Sequence, residues 1–339
     1  MATVLQQLWD STRLRLLVEL ERQGSVTAAA RAAGIGQPSA SQHLRLLEAA
    51  AGQRLVVRTG RGSRLTEAGR VLAAHASLAL QALAAGEEEL HALAGLQAGT
   101  IRVGASTTPG IYLLPDTLGC FRRDFPDVVV EVEIASSGEI LSWLRAGRVQ
   151  LALVGVEPDD ARLDHEPFVE DEIVGIARPG LVPVREGQVA PDALGGRTLL
   201  AREQGSASRA LADAELAALG VAFERTWELG SGEAIKRAAR EGLGVAFVSS
   251  FAVADEVARG ELDSFRIAGR QPLRRWISVA WPSSRSLAPS ERAFVDTLRS
   301  CCATSAEYAA ACVAAPRYVR QSGTPGRARP KAQSRESRT

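Results

Sequence analysis

Hydroxyl side chains recur where apolar, strand-like runs give way to helix-like segments. Ser106 follows the run 101–105, and the same arrangement returns after the run 128–134 and again near residue 231. The free N–H groups and the dipole of a helix N-terminus, together with hydroxyl donors, suit an anion. Each hydroxyl taken alone is also explained as a helix N-cap. The candidate anion ligands of this kind are Ser106, Thr107, Thr108, Ser136, Ser137 and Ser231.

A second group of candidates lies around Arg202, which follows the strand-like run 198–201. A guanidinium group pairs with carboxylate or sulfate through two parallel hydrogen bonds. The segment 205–209 opens the next helix-like stretch, so Ser206 or Ser208 is placed to face the same cavity. Arg202 and Ser206 therefore join the candidate ligands of a small anion.

The patterns that common kinds of catalysis require are missing from the sequence. There is no Gly-x-Ser-x-Gly segment, and Gly242-Leu-Gly244 lacks the third glycine of a dinucleotide fingerprint. The four histidines have no metal-binding spacing. The adjacent Cys301 and Cys302 are either redox-active or, as we prefer, buried in a C-terminal helix. We predict a protein that is not an enzyme and has neither a cofactor nor a metal.

Charge is distributed unevenly along the chain. The 339 residues carry a net charge of +1, but residues 1–66 carry +5, residues 317–339 carry +6 and the segment between them carries −10. Basic segments beside an acidic body are typical of a polyanion-binding region attached to a separate domain. A solvated surface and a dispensable basic tail are the alternative explanation.

The length allows two or three domains with their own cores. The longest uninterrupted apolar run, 308–315, is far shorter than the ~18 residues of a membrane span. The first ten residues lack the pattern of an export signal. The four cysteines have no metal or redox spacing, which indicates a reducing compartment. We therefore expect a cytoplasmic protein with no membrane association.

The first 66 residues have the pattern of a small helical domain with a hairpin. A helical stripe stops at Gly24, a short Ala-rich helix begins after Ser25, and Gln37-Pro38 opens a third helix after residues 34–36. Two short helices with such a short connection form a helix-turn-helix. Residues 54–66 follow as strand, basic Gly-rich turn and strand, which predicts a wing.

A long helix is predicted from Glu67 to about Ala94. Its apolar side is formed by Leu72, Ala76, Leu83 and Leu90, with Val71, Leu78 and Ala85 beside them. A helix of ~28 residues with one apolar side is not stable alone in water, so we expect it to pair with a second copy.

From Thr100 onward, strand-like and helix-like segments alternate in two successions of ~80 residues, which predicts parallel sheets in two lobes around a cleft. The fold class is thus α/β, with an N-terminal winged helix-turn-helix, a long linker helix and a two-lobed C-terminal α/β domain. The segment after Pro316 lacks apolar periodicity, and we expect it to be disordered.

Four segments, in the right order, resemble LysR-type transcriptional regulators. Residues 25–44 and 58–69 are similar to the family's N-terminal signature, and residues 104–115 and 230–236, the latter followed by 242–244, are similar to its effector domain. The resemblance implies that the two-lobed part has a periplasmic-binding-protein-like fold. The regions expected are a winged helix-turn-helix DNA-binding domain over 1–66, a linker and dimerisation helix over 67–98, an effector-binding domain over 99–302 and an Ala-rich, then basic, disordered tail over 303–339.

The resemblance implies that the helix from Gln37 enters the major groove of double-stranded promoter DNA. The amides of Gln37 and Gln42 suit adenine, and because the family often has Arg at the position of Gln42, the preferred base would change from G toward A. The wing arginines suit phosphates or a narrow minor groove. First-turn capping by Ser39 and Ser41 is the alternative for those two residues. The expected DNA-contacting residues are Thr27, Gln37, Pro38, Ser39, Ser41, Gln42, Arg58, Arg61 and Arg64.

The resemblance also implies a small metabolite, commonly an acid, bound between the lobes. A homodimer or homotetramer would then change the bending of promoter DNA and its contact with RNA polymerase. A stand-alone solute-binding protein would fit the two-lobed part of the chain, but it would not explain the helix-turn-helix. The basic tail would either add nonspecific attraction to DNA or be dispensable.

Overall fold

The computed structural model describes residues 10–59, 62–93 and 99–314, and the chain divides into two compact units. The first unit contains Met1–Asp171, Gly205–Ala207 and Arg275–Ser305, and the second contains Glu172–Gln204, Ser208–Arg274 and Ala306–Thr339. The first unit therefore combines the predicted DNA-binding domain, the linker helix and the first succession of strands and helices.

The elements of the N-terminal region and of the first succession are α1 (Ser11–Gln23), α2 (Val26–Ala32), α3 (Gln37–Ala51), β1 (Val56–Thr59), β2 (Gly62–Leu65), α4 (Glu67–Leu93), β3 (Gly99–Ser106), α5 (Leu114–Asp124), β4 (Val128–Ala135), α6 (Ser137–Arg145) and β5 (Leu151–Val154). The later elements are β6 (Leu163–Ala177), β7 (Gln188–Val189), β8 (Thr198–Ala201), α7 (Ala207–Ala218), β9 (Arg225–Glu228), α8 (Gly232–Arg240), β10 (Val245–Ser249), α9 (Ser250–Ala258), β11 (Asp263–Ile267), β12 (Leu273–Pro282) and α10 (Pro289–Ala314).

The three N-terminal helices share one apolar core. Leu16, Leu17 and Leu20 of α1 pack against Leu44 and Leu47 of α3 in this core. Their spacing of three and four residues places each set on one side of its helix. The helix-turn-helix, formed by α2 and α3, is thereby fixed against α1.

Local caps define where these helices begin and end. The Asp10 side chain accepts a hydrogen bond from the Arg13 amide at 3.0 Å and caps α1, and Gly24 ends α1 in a left-handed conformation with φ 63°. A left-handed residue of this kind favours glycine because it has no Cβ. Thr66 begins α4 by accepting a hydrogen bond from the Gly69 amide at 3.0 Å. The end of α1 at Gly24 and the start of α4 agree with those predicted from the sequence.

The sheet of the first unit is mixed rather than purely parallel. Strands β4, β3 and β5 are parallel, as the alternation of strands and helices predicted, and a π-helical turn over Pro109–Leu113 leads into α5. Strand β12 pairs antiparallel with β5, for example through Ser278 and Val154. The prediction of parallel sheets was therefore wrong for β12, which returns to the first unit from a distant part of the sequence.

The second unit follows the same plan. Strands β10, β8 and β9 are parallel, whereas β6 and β11 are antiparallel partners. Its core forms on both sides of these strands, with Phe247 and Phe265 in edge-to-face contact at 6.0 Å between ring centroids.

Among the described residues, no helix combines the length and the apolar character that crossing a membrane requires.

Candidate nucleic-acid interface and effector site

Helix α3 buries one side, and on its other side it exposes side chains of its first two turns. Ala40, Leu44 and Leu47 are buried. The N-cap is Gly36, which has no side chain to cap the helix. Of the five DNA-contacting residues expected on α3, the exposed ones are Gln37, Pro38, Ser39 and Gln42, and Ser41 is half-buried.

The two serines of α3 are not used as caps. Within the described part of the chain, the hydroxyls of Ser39 and Ser41 make no hydrogen bond to another protein group. The capping alternative therefore has no support in the structure. Thr27, in the first turn of α2, is also exposed, while Ser25 occupies the N-cap position of that helix without a side-chain hydrogen bond.

The hairpin of β1 and β2 is fixed close to the end of α1. The amide of Ser63 donates a hydrogen bond to the carbonyl of Gly24 at 3.0 Å. A Cβ at Gly62 would lie 2.4 Å from the same carbonyl oxygen, so only glycine allows this approach. The hairpin therefore projects from the helix-turn-helix at a defined angle.

The two described wing arginines leave this hairpin on opposite faces. In the antiparallel pairing of β1 and β2, Arg58 lies opposite Ser63, and the neighbouring residue Val57 lies opposite Arg64. Neighbouring positions of a strand alternate between faces, so Arg58 and Arg64 cannot form one cluster. Both are exposed, whereas Arg61 lies outside the described residues.

Exposed arginines without carboxylate partners are concentrated in the N-terminal region. None of those around α3 and the wing makes an ion pair with another described residue. Arg45 lies three residues after Gln42 and therefore close to the same side of α3. In the sequence, Arg31, Arg45 and Arg54 were apparent only through the net charge of residues 1–66, although helical periodicity would have selected Arg45. The exposed, unpaired group is Arg31, Arg45, Arg54, Arg58 and Arg64.

In the candidate effector site of the first unit, the largely buried side chain of Arg275 contacts the hydroxyl group of Thr108, which follows the end of β3. Nη2 of Arg275 donates a hydrogen bond to Oγ1 of Thr108 at 3.1 Å. Its Nε donates to Oδ2 of Asp171 at 2.9 Å, and Asp171 is completely buried. A Cβ at Gly155 would lie 2.8 Å from Nη1 of Arg275, so glycine makes room for the guanidinium. Ser106, two residues before Thr108 in the sequence, is the last residue of β3 and is buried.

Arg275 and Asp171 were not among the ligand-binding residues predicted from the sequence. They are separated by 104 residues, and neither belongs to a recognisable motif. The one available signal was the pair of arginines 274–275 in an otherwise apolar strand.

The candidates at α6 and α8 act as N-caps in the structure. Ser136 forms a capping box with Glu139: its hydroxyl donates to Oε2 at 2.7 Å and accepts from the Glu139 amide at 3.3 Å. The hydrogen bonds from Ser136 hold the pKa of Glu139 below its ordinary value. A carboxylate thus already occupies the start of α6, where Ser137 is buried. Ser231 caps α8 by accepting from the Ala234 amide at 3.2 Å.

Arg202 in the second unit pairs with its neighbour in sequence. Its Nε and Nη2 both lie 2.7 Å from the carboxylate oxygens of Glu203, and these bonds lower the pKa of Glu203. Ser206, assigned to the first unit, is half-buried. The roles in ligand binding stay predictions for all the candidates, which are Ser106, Thr107, Thr108, Ser136, Ser137, Arg202, Ser206 and Ser231. Among the described residues, no group of His, Cys, Asp and Glu is arranged to hold a metal ion.

Comparison with known proteins gives two family matches along the chain. The family described as "Bacterial regulatory helix-turn-helix protein, lysR family" matches residues 11–70, and the "LysR substrate binding domain" matches residues 94–303.

Individual relatives match most of the chain. A probable RuBisCO transcriptional regulator of Cyanophora paradoxa is 34% identical over 296 residues, which cover 84% of this chain and 90% of the relative. An uncharacterised HTH-type transcriptional regulator of Escherichia coli (strain K12), YeiE, is 31% identical over 287 residues, covering 84% of this chain and 95% of the relative. Among solved structures, the regulatory domain of Synechocystis PCC6803 CcmR in complex with 2-PG is 28% identical, has a TM-score of 0.55 and covers 60% of this chain and 96% of that domain.

Proposed function

The chain belongs to the LysR family of transcriptional regulators, and on this basis we propose that it reads promoter DNA with α3 and the wing and responds to a small anionic metabolite. LysR regulators are DNA-binding proteins with an effector domain, not enzymes. The alternative of a stand-alone solute-binding protein is excluded by the match of the N-terminal residues to the family's helix-turn-helix.

The observation that carries the DNA-binding proposal is the group of exposed, unpaired arginines around α3 and the wing. A free guanidinium can replace the counterions of a DNA phosphate, whereas an arginine already bound to a carboxylate gains less from doing so. Gln37 and Gln42 on the exposed first turns of α3 supply amides for base edges. Phosphate contacts would position the protein and the glutamines would select the sequence.

The effector proposal rests on the contact between Arg275 and Thr108. A guanidinium held by one carboxylate and one hydroxyl at a strand end is suited to receive a ligand carboxylate or phosphate. The relative CcmR was solved in complex with 2-PG, so 2-PG is a suitable first probe for this chain. The effector is thus proposed to be a small carboxylated or phosphorylated anion, with no further cofactor.

The mode of regulation proposed is that of a homo-oligomer acting in the cytoplasm. The apolar side of α4 would pair two copies, which places two α3 helices on a dyad-symmetric site. Effector binding would change the bending of that DNA and its contact with RNA polymerase. Such coupling requires different affinities for two arrangements of the protein, typically about 1–3 kcal/mol.

DNA binding is tested by capturing genomic fragments with the purified full-length protein and measuring the affinity for the recovered sites by fluorescence anisotropy. We expect dyad-symmetric sites bound at least about 10³-fold more tightly than random duplex. Equal affinity for all duplexes at low ionic strength would refute the proposal.

Effector binding is tested separately by calorimetric titration of 2-PG and of inorganic phosphate. Thr108→Val keeps the ion pair of Arg275 with Asp171 and removes the hydroxyl, so we expect at least about 10-fold weaker binding. Arg162→Gln, which changes an exposed arginine paired with Asp160, is the matched control and should bind as the unmodified protein does. Equal binding by all three proteins would contradict the placement of the site.

A further inference from the structure

Three cysteines lie where α5 packs against the C-terminal helix α10 in the first unit. Phe121 of α5 meets Phe294 of α10 edge-on at 5.2 Å between ring centroids. Nearby, Oγ1 of Thr117 lies 3.9 Å from Sγ of Cys302. The Cys120 thiol lies close enough to Cys301, across the same pair of helices, to raise the pKa of the Cys301 thiol. The two helices therefore hold two sulfur atoms from distant parts of the sequence next to each other.

The three thiols have different surroundings. Cys302 is almost completely buried, whereas Cys120 and Cys301 are half-buried and accessible. Nη2 of Arg123 lies 3.4 Å from Sγ of Cys120 and places a positive charge beside that sulfur. A cation next to an accessible sulfur is the setting of reactive cysteines. Burial, with a smaller contribution from Cys120, raises the pKa of Cys301 to about 12, so Cys301 remains protonated near neutral pH.

We propose that Cys120 and Cys301 form a reversible disulfide when the protein meets a peroxide. The Cys120 sulfur, as thiolate, attacks one peroxide oxygen; the O–O bond breaks, and the leaving hydroxide takes up a proton to become water. The sulfenic acid on Cys120 is then attacked by the sulfur of Cys301, which loses its proton while a second water leaves. In balance, two thiols and one hydrogen peroxide give one disulfide and two waters, and a dithiol reductant reverses the change.

The disulfide would tie α5 to α10. Helix α5 begins six residues after Thr108, directly after the π-helical turn, so the bond would fix the helix that follows the candidate effector site. The bond would also close a long loop, which stabilises the folded state relative to the unfolded chain. Oxidation should thus raise the thermal midpoint of the protein.

The test treats the full-length protein with hydrogen peroxide, alkylates the remaining thiols and maps the peptides by mass spectrometry. We expect a linked peptide pair containing Cys120 and Cys301, two hydrogens lighter than the separate peptides and absent after reduction. Cys120→Ser and Cys301→Ser should each abolish it, and the rise in the thermal midpoint on oxidation should disappear with it.

Cys302→Ser is the matched control, since it removes a neighbouring thiol that the proposal does not use. It should retain both the linked peptides and the rise in the thermal midpoint. Formation only of a Cys301–Cys302 bond, only of bonds between molecules, or only of a higher oxide on Cys120 would overturn the proposal. Because the peptide map is read first on the unmodified sequence, poor folding of a variant would not leave the question open.

Discussion

Arginines in this chain fall into two groups according to their partners. Arg145 and Arg162 share the carboxylate of Asp160, and Arg299 binds Glu166. By contrast, Arg58 and Arg64 on the wing are exposed with no carboxylate partner among the described residues. Charge that is already compensated does not contribute to binding a polyanion, so the unpaired group determines the attraction for DNA.

Arg64→Ala should weaken binding to every DNA sequence by a similar factor. A phosphate contact releases about 0.9 counterion, so the slope of log K against log salt should become shallower by about 0.9 for each subunit bound. The measurement is fluorescence anisotropy on a selected site and on random duplex across a salt series. Arg70→Ala, which removes an arginine paired with Glu67, is the control and should leave the slope nearly unchanged. Altered sequence preference at constant slope would contradict a phosphate role for Arg64.

Gln42→Ala should relax the preference at one base pair of each half-site. An amide that pairs with adenine contributes about 1–3 kcal/mol of discrimination against the wrong base, while nonspecific binding depends little on it. The measurement is selection from a randomised duplex library followed by sequencing. Gln53→Ala, which changes an exposed glutamine beyond the end of α3, should give the same preferences as the unmodified protein. An unchanged preference in Gln42→Ala would exclude this residue from base recognition.

The helices of the first unit were predictable because their sequence signals are local. Gly24 and Gly34 have the left-handed φ values that the sequence indicated, and Pro38 lies in the first turn of α3. Helix α4 begins at Glu67, as predicted, and is described as far as Leu93. Each signal acts within a few residues, so no tertiary information was needed.

Strands β6, β11 and β12 were not predicted, for a different reason. Strand β6 mixes charged residues such as Asp164 and Glu166 with its apolar ones, so its amino-terminal half has no clear apolar run. The residues of its partners β10 and β11 lie at least 70 positions further along the sequence than the β6 residues with which they pair. Antiparallel pairing over such distances depends on the assembled sheet and leaves no local pattern.

The linker helix contacts the effector domain at Gly147, close to the end of α6. Nε2 of Gln81 and Oγ of Ser77 donate hydrogen bonds to the Gly147 carbonyl at 2.6 Å and 2.5 Å. Next to this contact, Nη2 of Arg22 in α1 donates to the carbonyl of Arg148. Helix α6 begins at the candidate residues Ser136 and Ser137, so one short helix separates them from the linker.

Gly147→Ala should destabilise this contact more than backbone strain alone would. Gly147 has φ 66°, and an added Cβ would lie 2.8 Å from Cβ of Ser77. Gly180 has φ 81° with open space around it, so Gly180→Ala isolates the strain of about 1 kcal/mol. The thermal midpoint should fall further in Gly147→Ala, and the effect of the effector on DNA affinity should decrease only in that variant. Equal behaviour of the two variants would show that the linker contact carries no coupling.

The candidate effector site contains contacts that the sequence alone does not reveal. Ser106 and Thr108 were found from the junction between a strand and a helix, which is local. Arg275, which contacts Thr108, lies 167 positions after it in the sequence, on a strand that returns to the first unit late in the chain. Its partner Asp171 is equally remote, so only the assembled fold identifies this pair.

The apolar side of α4 is packed against α1 in one part and exposed to solvent in another. Ala76 packs against Leu14 and Val18 of α1 within one chain. Leu83 and Leu90, further along the same side, are each 68% exposed. Water-exposed leucines at a spacing of seven residues are the pattern of a helix that pairs with another helix.

Leu83→Glu should convert the proposed dimer into monomers. Each dimer buries two copies of the residue, and burying a leucine is worth about 1.5–3 kcal/mol, so the dissociation constant should rise at least about 100-fold. Sedimentation velocity over a concentration series measures this directly, and affinity for a dyad-symmetric site should fall in parallel because both α3 helices no longer bind together. Leu243→Glu, which changes a leucine exposed in the second unit, is the control and should sediment as the unmodified protein does. If Leu83→Glu leaves the sedimentation unchanged while Leu243→Glu dissociates the protein, the copies associate through the effector domain and α4 serves only to connect it to the DNA-binding domain.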